Sequence, residues 1–340
     1  MRILDAFAGI GGFTLASSKE DVTVGFIENN VKCQQVLQQA FPGIPLHSNI
    51  RDFQGTEFGE FDLLTGGFPC QPFSRCGKSH MYNNQTIGND DRANLCFELI
   101  RLLRDVQPKV FLFENVKEVL TVKNADGTSF LKLLLSELQD VGYRVAYRLI
   151  SPTSYGVPQQ RNRVYFVGIR QDLPGQFTFP TPPDYIPSRV LDYMDTTVDA
   201  QYTLASMWRT RCMRKSLGTR LDALVAAYNS GLWPIPMGGY TMCITPVGII
   251  YGDTPSNKAR QHDKLYSVYG WSPTITTIET HAFDHPAGWR MLTPLECLRL
   301  QSFPESHPIN QVKRDGYQQV GNSINVLVVR AVMDQIRCCI

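Results

Sequence analysis

The sequence predicts an α/β protein built on a doubly wound, mainly parallel sheet, joined to a smaller, irregular β-rich domain. Three observations predict this. Strand-like and helix-like segments alternate through residues 1–170, a proline-rich crossing follows, and beyond it the regular rhythm stops until near residue 292. Apolar runs at 2–7, 22–28, 61–65, 109–113, 144–150 and 164–169 read as strands. Helical patterns at 30–40, 93–106 and 128–140 lie between them, giving the βαβα alternation of a parallel sheet. Pro174, Pro180, Pro182, Pro183 and Pro187 make an extended crossing. From 186 to 285 only short β-like runs stand out, at 241–250 and 273–278. Helical spacing returns at Leu292–Gln301, after Thr293-Pro294, and at 324–337. The last helix is too short to be a domain, so it is expected to pack back on the first. The expected division is residues 1–185 plus 317–340 as one discontinuous domain, 186–285 as a second, and 286–316 as a hinge.

Composition narrows the class. The chain has 340 residues, 43% hydrophobic and 19% charged, as in an ordinary soluble globular protein with a sizeable core. No apolar run reaches 18 residues, and the first strand begins too early to leave room for a signal peptide, so the protein is expected in the cytoplasm, away from membranes. Nine scattered cysteines without a CxxC pair argue against a disulfide framework or a zinc site; no metal is expected. A net charge of +2 does not by itself announce a nucleic-acid partner.

Residues 5–13 read DAFAGIGGF. Glycines after a first strand let a ligand approach the backbone, although Gly9, Gly11 and Gly12 do not follow the GxGxxG spacing. Glu28 ends the next strand about 20 residues on, where a carboxylate can accept from ribose hydroxyls. Asp52 comes near the end of a third candidate strand and could address an adenine amino group. Together they indicate a nucleoside cofactor without choosing between a nicotinamide and S-adenosylmethionine. Cys70, in GGFPCQPFS, leaves a strand end for a loop, where α/β folds place reactive groups. Glu114 closes an apolar strand, where desolvation would raise its pKa and let it hold a proton. Arg161 and Arg163 stand two apart, a spacing that in an extended chain points both guanidiniums the same way.

At these motifs the chain resembles the DNA (cytosine-5) methyltransferases of the bacterial and phage restriction–modification type, over nearly its whole length. DAFAGIGGF resembles the family's first cofactor motif, GGFPCQPFS its nucleophile motif, and Asp90-Asp91-Arg92-Ala93-Asn94-Leu95 the motif opening the next helix. FENV (113–116), QQRNR (159–163), residues 290–301 and Gly321-Asn322-Ser323 resemble its later motifs, in order. Three departures stand out: a longer stretch after Cys70 (Met81 to Gly88), Asn162 where a charge is common, and no proline in the final motif.

The resemblance implies an S-adenosylmethionine-dependent methyltransferase sheet carrying a recognition domain, and transfer of a methyl group to carbon 5 of cytosine in double-stranded DNA. Cys70 is implied as the nucleophile toward carbon 6, with Glu114 at ring nitrogen 3 and the exocyclic amine. Arg161 is expected to raise the thiolate fraction and contact the base oxygen, with Arg163 in support. The target base must be flipped out, with Gln71 and Ser74 touching DNA. Cofactor contacts are implied for Phe7, Ile10, Gly12, Glu28, Asn29, Asp52, Phe53, Pro69, Leu95, Asn322 and Ser323. In the recognition region Arg209, Arg211, Arg214 and Lys215 are expected at phosphates, one or two of them at guanine edges; Pro273–Thr277 resembles the end of such domains. A monomer is expected, with a cognate restriction endonuclease as a genetic partner. A tRNA-methylating relative and a catalytically silent DNA-binding relative are the competing readings. No CFT-type signature supports the first, and the intact Cys70, Glu114 and Arg161 oppose the second.

Overall fold

The computed structural model describes residues 1–69, 95–124, 127–184, 188–203, 236–237, 240–241, 246–249, 264–278 and 281–340. The chain forms two compact units: Met1–Ile150 with Asn162–Thr181 and Val326–Ile340, and Ser151–Arg161 with Pro182–Asn325.

The first unit is a seven-stranded sheet of β1 (Arg2–Ala6), β2 (Val22–Ile27), β3 (Leu46–His47), β4 (Leu63–Gly67), β5 (Val110–Val116), β6 (Tyr143–Ile150) and β7 (Arg163–Arg170). Its order is β3-β2-β1-β4-β5-β7-β6, and only β7 runs against the rest. The mainly parallel sheet is as the sequence predicts. An apolar–polar alternation carries no direction, so the reversed β7 was not legible, and β3 is two residues long, too short to leave a pattern. Helices α1 (Gly12–Ala16), α2 (Val31–Ala40), α3 (Leu95–Val106) and α4 (Phe130–Asp140) connect the strands. The α2 helix starts where the Asn30 side chain accepts from Lys32 N at 2.9 Å, a standard N-cap. Every residue of β5 is buried, as a central parallel strand demands.

Register sets the site. Ala6 pairs with Ile27 on one side and Gly66 on the other, and Gly67 pairs with Glu114. Successive strands lead from β1 to opposite flanks, through β2 and β4, so β1 lies at the switch point where such sheets bind ligands.

The second unit holds the pair β8 (Pro236–Met237) and β9 (Tyr240–Thr241) and the sheet β10 (Pro246–Ile249), β11 (Lys264–Ser267), β12 (Ala282–His285) and β13 (Gly288–Met291). Helices α5 (Pro294–Leu300) and α6 (Lys313–Asn322) belong to it. Residues 273–278 are not a strand. Their backbone instead continues from a bridge between Ser272 and Gln159, with Gln160 N donating to Ser272 O at 2.9 Å. These bonds carry 151–161 into the second unit. The return to the first unit begins at Val326, not at 317, because α6 packs on α5 and Tyr317 Oη donates to Leu292 O at 2.5 Å. From there α7 (Val326–Arg337) lies against α1, and Arg330 donates to Leu15 O at 2.9 Å.

Among the described residues no helix is long and apolar enough to cross a membrane, and no cluster of His, Cys, Asp and Glu could hold a metal ion.

Candidate active site

The turn after β1 is shaped by positive φ at Phe7 (53°), Gly9 (56°) and Gly11 (83°). For Phe7 this is an unfavourable conformation, of the kind retained where geometry matters. Nothing lies within 4 Å of where a side chain at Gly9 would begin, so the backbone there faces open space. Glu28, at the end of β2, closes the turn from the other side. Its Oε2 accepts from Gly9 N and its Oε1 from Asn30 N, both at 2.8 Å. Burial pushes its pKa up, against the pull of the N–H groups of Asn30, Gly9 and Asn29. A carboxylate offers about four acceptor sites, more than those N–H groups fill. The cradle therefore fits a ligand bearing hydroxyls, and Glu28 also organises the loop that would hold it.

Asp5 was not singled out from the sequence, yet it anchors this turn. It is fully buried on β1, accepting from Thr65 Oγ1 at 3.0 Å and Thr14 Oγ1 at 3.1 Å. Burial outweighs both bonds and pushes its pKa up to about 7. Between the ordinary carboxylate range and 7 the unfolded chain is ionised while the folded one holds the proton. Asp5 therefore costs stability progressively as pH rises from about 4 to 7. Asp5→Asn, which carries no such proton, is expected to gain thermal midpoint relative to the parent across that interval. A difference that stays flat with pH in melts from pH 4 to 7 would refute this.

The other expected cofactor residues divide by burial. Ile10 and Phe53 are fully buried and Gly12 is buried, whereas Asn29 and Asp52 are exposed. Phe53 packs on the rings of His47 and Phe58. Asp52 sits in a turn where its Oδ2 accepts from Asn49 Nδ2 at 2.6 Å. Arg101 of α3 fixes that turn through Ile50 O (2.8 Å) and Phe53 O (3.2 Å), a role hidden from sequence because it joins residues 48 or more apart. Pro69 and Leu95 are half-buried, Leu95 opening α3. Exposed Asn322 and buried Ser323 belong to the second unit.

At the end of β5 the Glu114 carboxylate meets Arg163, with Nε to Oε1 at 2.9 Å and both side chains largely buried. The pairing follows from β7 running antiparallel to β5, with Arg163 opposite Val116. Asn115, 1% exposed, donates from Nδ2 to Phe68 O at 3.2 Å and accepts from Val116 N at 2.8 Å. It thus ties the end of β5 to the chain two residues before Cys70.

The two arginines do not share a target. Arg161 is in the second unit, 2% exposed, and donates to Ile275 O (3.1 Å), Gly321 O (3.0 Å) and Ser323 O (2.6 Å). The alternation rule that would align them holds only inside a strand, and β7 starts at Arg163. Cys70, Gln71, Ser74, Arg209, Arg211, Arg214 and Lys215 lie outside the described residues. Of the other thiols, Cys33 and Cys96 are buried and pushed up to about 12 by desolvation, unfit as nucleophiles at neutral pH.

Comparison with known proteins agrees with this architecture. Residues 1–338 match the family of C-5 cytosine-specific DNA methylases. The Type II methyltransferase M.NlaX of Neisseria lactamica is 30% identical over 344 residues, covering 100% of this chain and 97% of its own. M.SsoII of Shigella sonnei is 31% identical, covering 98% of this chain and 79% of its own. Two solved structures share the fold: the Dnmt2 methyltransferase of S. pombe (TM-score 0.68, 18% identity, covering 99% of this chain and 98% of its own) and the methyltransferase EhMeth of Entamoeba histolytica (0.67, 15%, covering 99% and 97%). The chain belongs to the C-5 cytosine-specific DNA methylases: it is a DNA (cytosine-5-)-methyltransferase whose methyl donor is S-adenosyl-L-methionine.

Proposed function

We propose that the protein methylates one cytosine within a specific double-stranded DNA sequence, through base flipping and a covalent adduct at Cys70. The observation that carries this reading is the Glu114–Arg163 pair on β5 and β7, beside Gly67, three residues before Cys70. Carbon 5 of cytosine is too poor a nucleophile to attack a methyl sulfonium directly. The Cys70 thiolate adds to carbon 6, and Glu114, protonated beside Arg163 when it enters the step, gives that proton to ring nitrogen 3, neutralising the charge that addition creates. The electron pair of the 5,6 double bond is thereby made available at carbon 5. S-adenosyl-L-methionine, when bound, supplies the electrophilic methyl group that carbon 5 takes up. A base then removes the carbon-5 proton, the restored double bond expels the Cys70 thiolate, and nitrogen 3 returns its proton to the Glu114 carboxylate.

Arg163 holds the Glu114 carboxylate in place for nitrogen 3, and Asn115 steadies the approach to Cys70. Glu28 is assigned the ribose hydroxyls, and Asp52 the adenine amine. Gln71 and Ser74 are assigned to the opened helix, and Arg209, Arg211, Arg214 and Lys215 to the duplex. The same reading makes the protein a cytoplasmic monomer with a cognate restriction endonuclease as its genetic partner, as for a restriction–modification methylase.

The test supplies labelled S-adenosyl-L-methionine with DNA and, separately, tRNA, followed by bisulfite sequencing of the DNA. Label in DNA at one recurrent sequence is expected, with a denaturation-resistant adduct on DNA carrying 5-fluorocytosine there. Label in tRNA alone, or undiminished methylation by Cys70→Ala, would overturn the reading.

A further inference from the structure

The sequence placed Arg161 at the reacting base, and the structure gives its guanidinium another task. Residues 158–161 are laced along 272–275. Ser272 N donates to Pro158 O at 2.7 Å, Gln160 N returns a bond to Ser272 O at 2.9 Å, and Thr274 Oγ1 donates to Gln160 O at 2.6 Å. Arg161 extends this lacing with its side chain, to Ile275 O on one strip of backbone and to Gly321 O and Ser323 O on another.

A second observation fuses the same two strips. A Cβ on Gly321 would stand 2.3 Å from Thr276 O and 2.4 Å from Thr276 C, distances no side chain tolerates. Gly321 is glycine because backbone lies directly on backbone there. Gln301 adds longer bonds from Nε2 to Val320 O (3.3 Å) and Ser323 O (3.5 Å). The strips 275–277 and 321–323 therefore move as one piece, and the Arg161 guanidinium donates to both.

We propose that Arg161 is a positioning residue that joins the end of the DNA-recognition segment to the cofactor turn, so that DNA and S-adenosyl-L-methionine binding are linked through it. The inference rests on the function proposed above and on the family resemblance, which implies that Pro273–Thr277 ends the recognition domain and that Asn322 and Ser323 touch cofactor. A planar guanidinium presents a fixed fork of donors, which suits three carbonyls on two strips. Lysine has one ammonium on a flexible stem and cannot reproduce the fork. Linkage is reciprocal: if DNA tightens the cofactor by some factor, the cofactor tightens DNA by the same factor.

The experiment measures the affinity of S-adenosyl-L-homocysteine, a non-reacting probe, with and without a duplex carrying the site found by bisulfite sequencing. DNA is expected to tighten it in the parent by about tenfold, within the usual range for coupled sites. In Arg161→Lys and Arg161→Gln the factor is expected to fall to about 1–2, with KM for S-adenosyl-L-methionine rising more than kcat falls. The midpoint of the pH–rate profile is expected to stay in place. A shifted midpoint with the coupling factor intact would return Arg161 to the thiolate and overturn the proposal, as would a parent with no coupling.

Should the variants not fold, hydrogen exchange on the parent decides the matter. DNA is expected to slow exchange of the amides at 320–323 together with those at 275–277, and protection of only one strip refutes the link. Failure of methyl transfer by the parent would instead refute the preceding reading.

Discussion

Glu114→Gln is expected to slow single-turnover methylation by about 10²–10⁴-fold, the usual loss when a positioned general acid is removed. Glutamine keeps the volume and planar shape of the side chain, so β5 and its neighbours need not move. It cannot carry the proton that nitrogen 3 requires. It also replaces the 2.9 Å ion pair with Arg163 by a weaker bond from the charged guanidinium to a neutral amide oxygen. Cofactor affinity should change little, because Glu28 and the β1 turn do not depend on that carboxylate. Rapid-quench kinetics with labelled cofactor on cognate duplex, beside a cofactor titration, would check both halves. A rate within threefold of the parent would show that Glu114 carries no proton in the reaction.

The largest expected effect on stability lies in the second unit, at Glu296. This carboxylate is fully buried, and Arg290 beside it is 2% exposed. Arg290 donates to it twice, at 2.8 and 2.7 Å, and Thr293 N and Asp195 N donate at 2.7 and 2.6 Å. The Thr293 hydroxyl completes a capping box at the start of α5 by accepting from Glu296 N at 3.1 Å. Removing one member of such a pair leaves the other charge buried without its partner, at a cost of about 3–5 kcal/mol. For a unit of this size that corresponds to about 6–20 °C in thermal midpoint. Glu296→Ala should therefore melt far below the parent. Arg290→Met combined with Glu296→Leu should recover much of the loss, since no charge then stays stranded. Equal midpoints for parent and Glu296→Ala in calorimetry would refute this account.

Where function and fold share a local pattern, the sequence was a good guide. The strands at 2–7, 22–28 and 144–150 and the helices at 30–40 and 128–140 lie within two residues of their expected ends, because apolar spacing and caps such as Asn30 act over a few residues. The place of Glu28 beside the glycine turn was legible for the same reason: a carboxylate at the end of a short strand can be counted out from that turn. What escaped notice depends on distant residues. Asp5 matters because Thr65 meets it from another strand, and Arg101 because it reaches Ile50 and Phe53. The α6 helix has few apolar positions beyond Tyr317 and Val320, so its periodicity is faint. Arg161 and Arg163 illustrate the limit most plainly. Two adjacent members of one motif sit in different units, and no pattern of residue types records where a domain boundary passes between them.

The late return of the chain has a consequence for synthesis. The first unit keeps α7 for last: it packs on α1 only after 144 further residues (182–325) of the second unit have been made. On the ribosome the seven strands can pair while the groove over α1 is still bare. At synthesis rates of about 5–20 residues per second, that apolar surface waits many seconds for its cover. In that interval the nascent chain depends on the second unit folding promptly, or on a chaperone, to keep the open face from finding another partner.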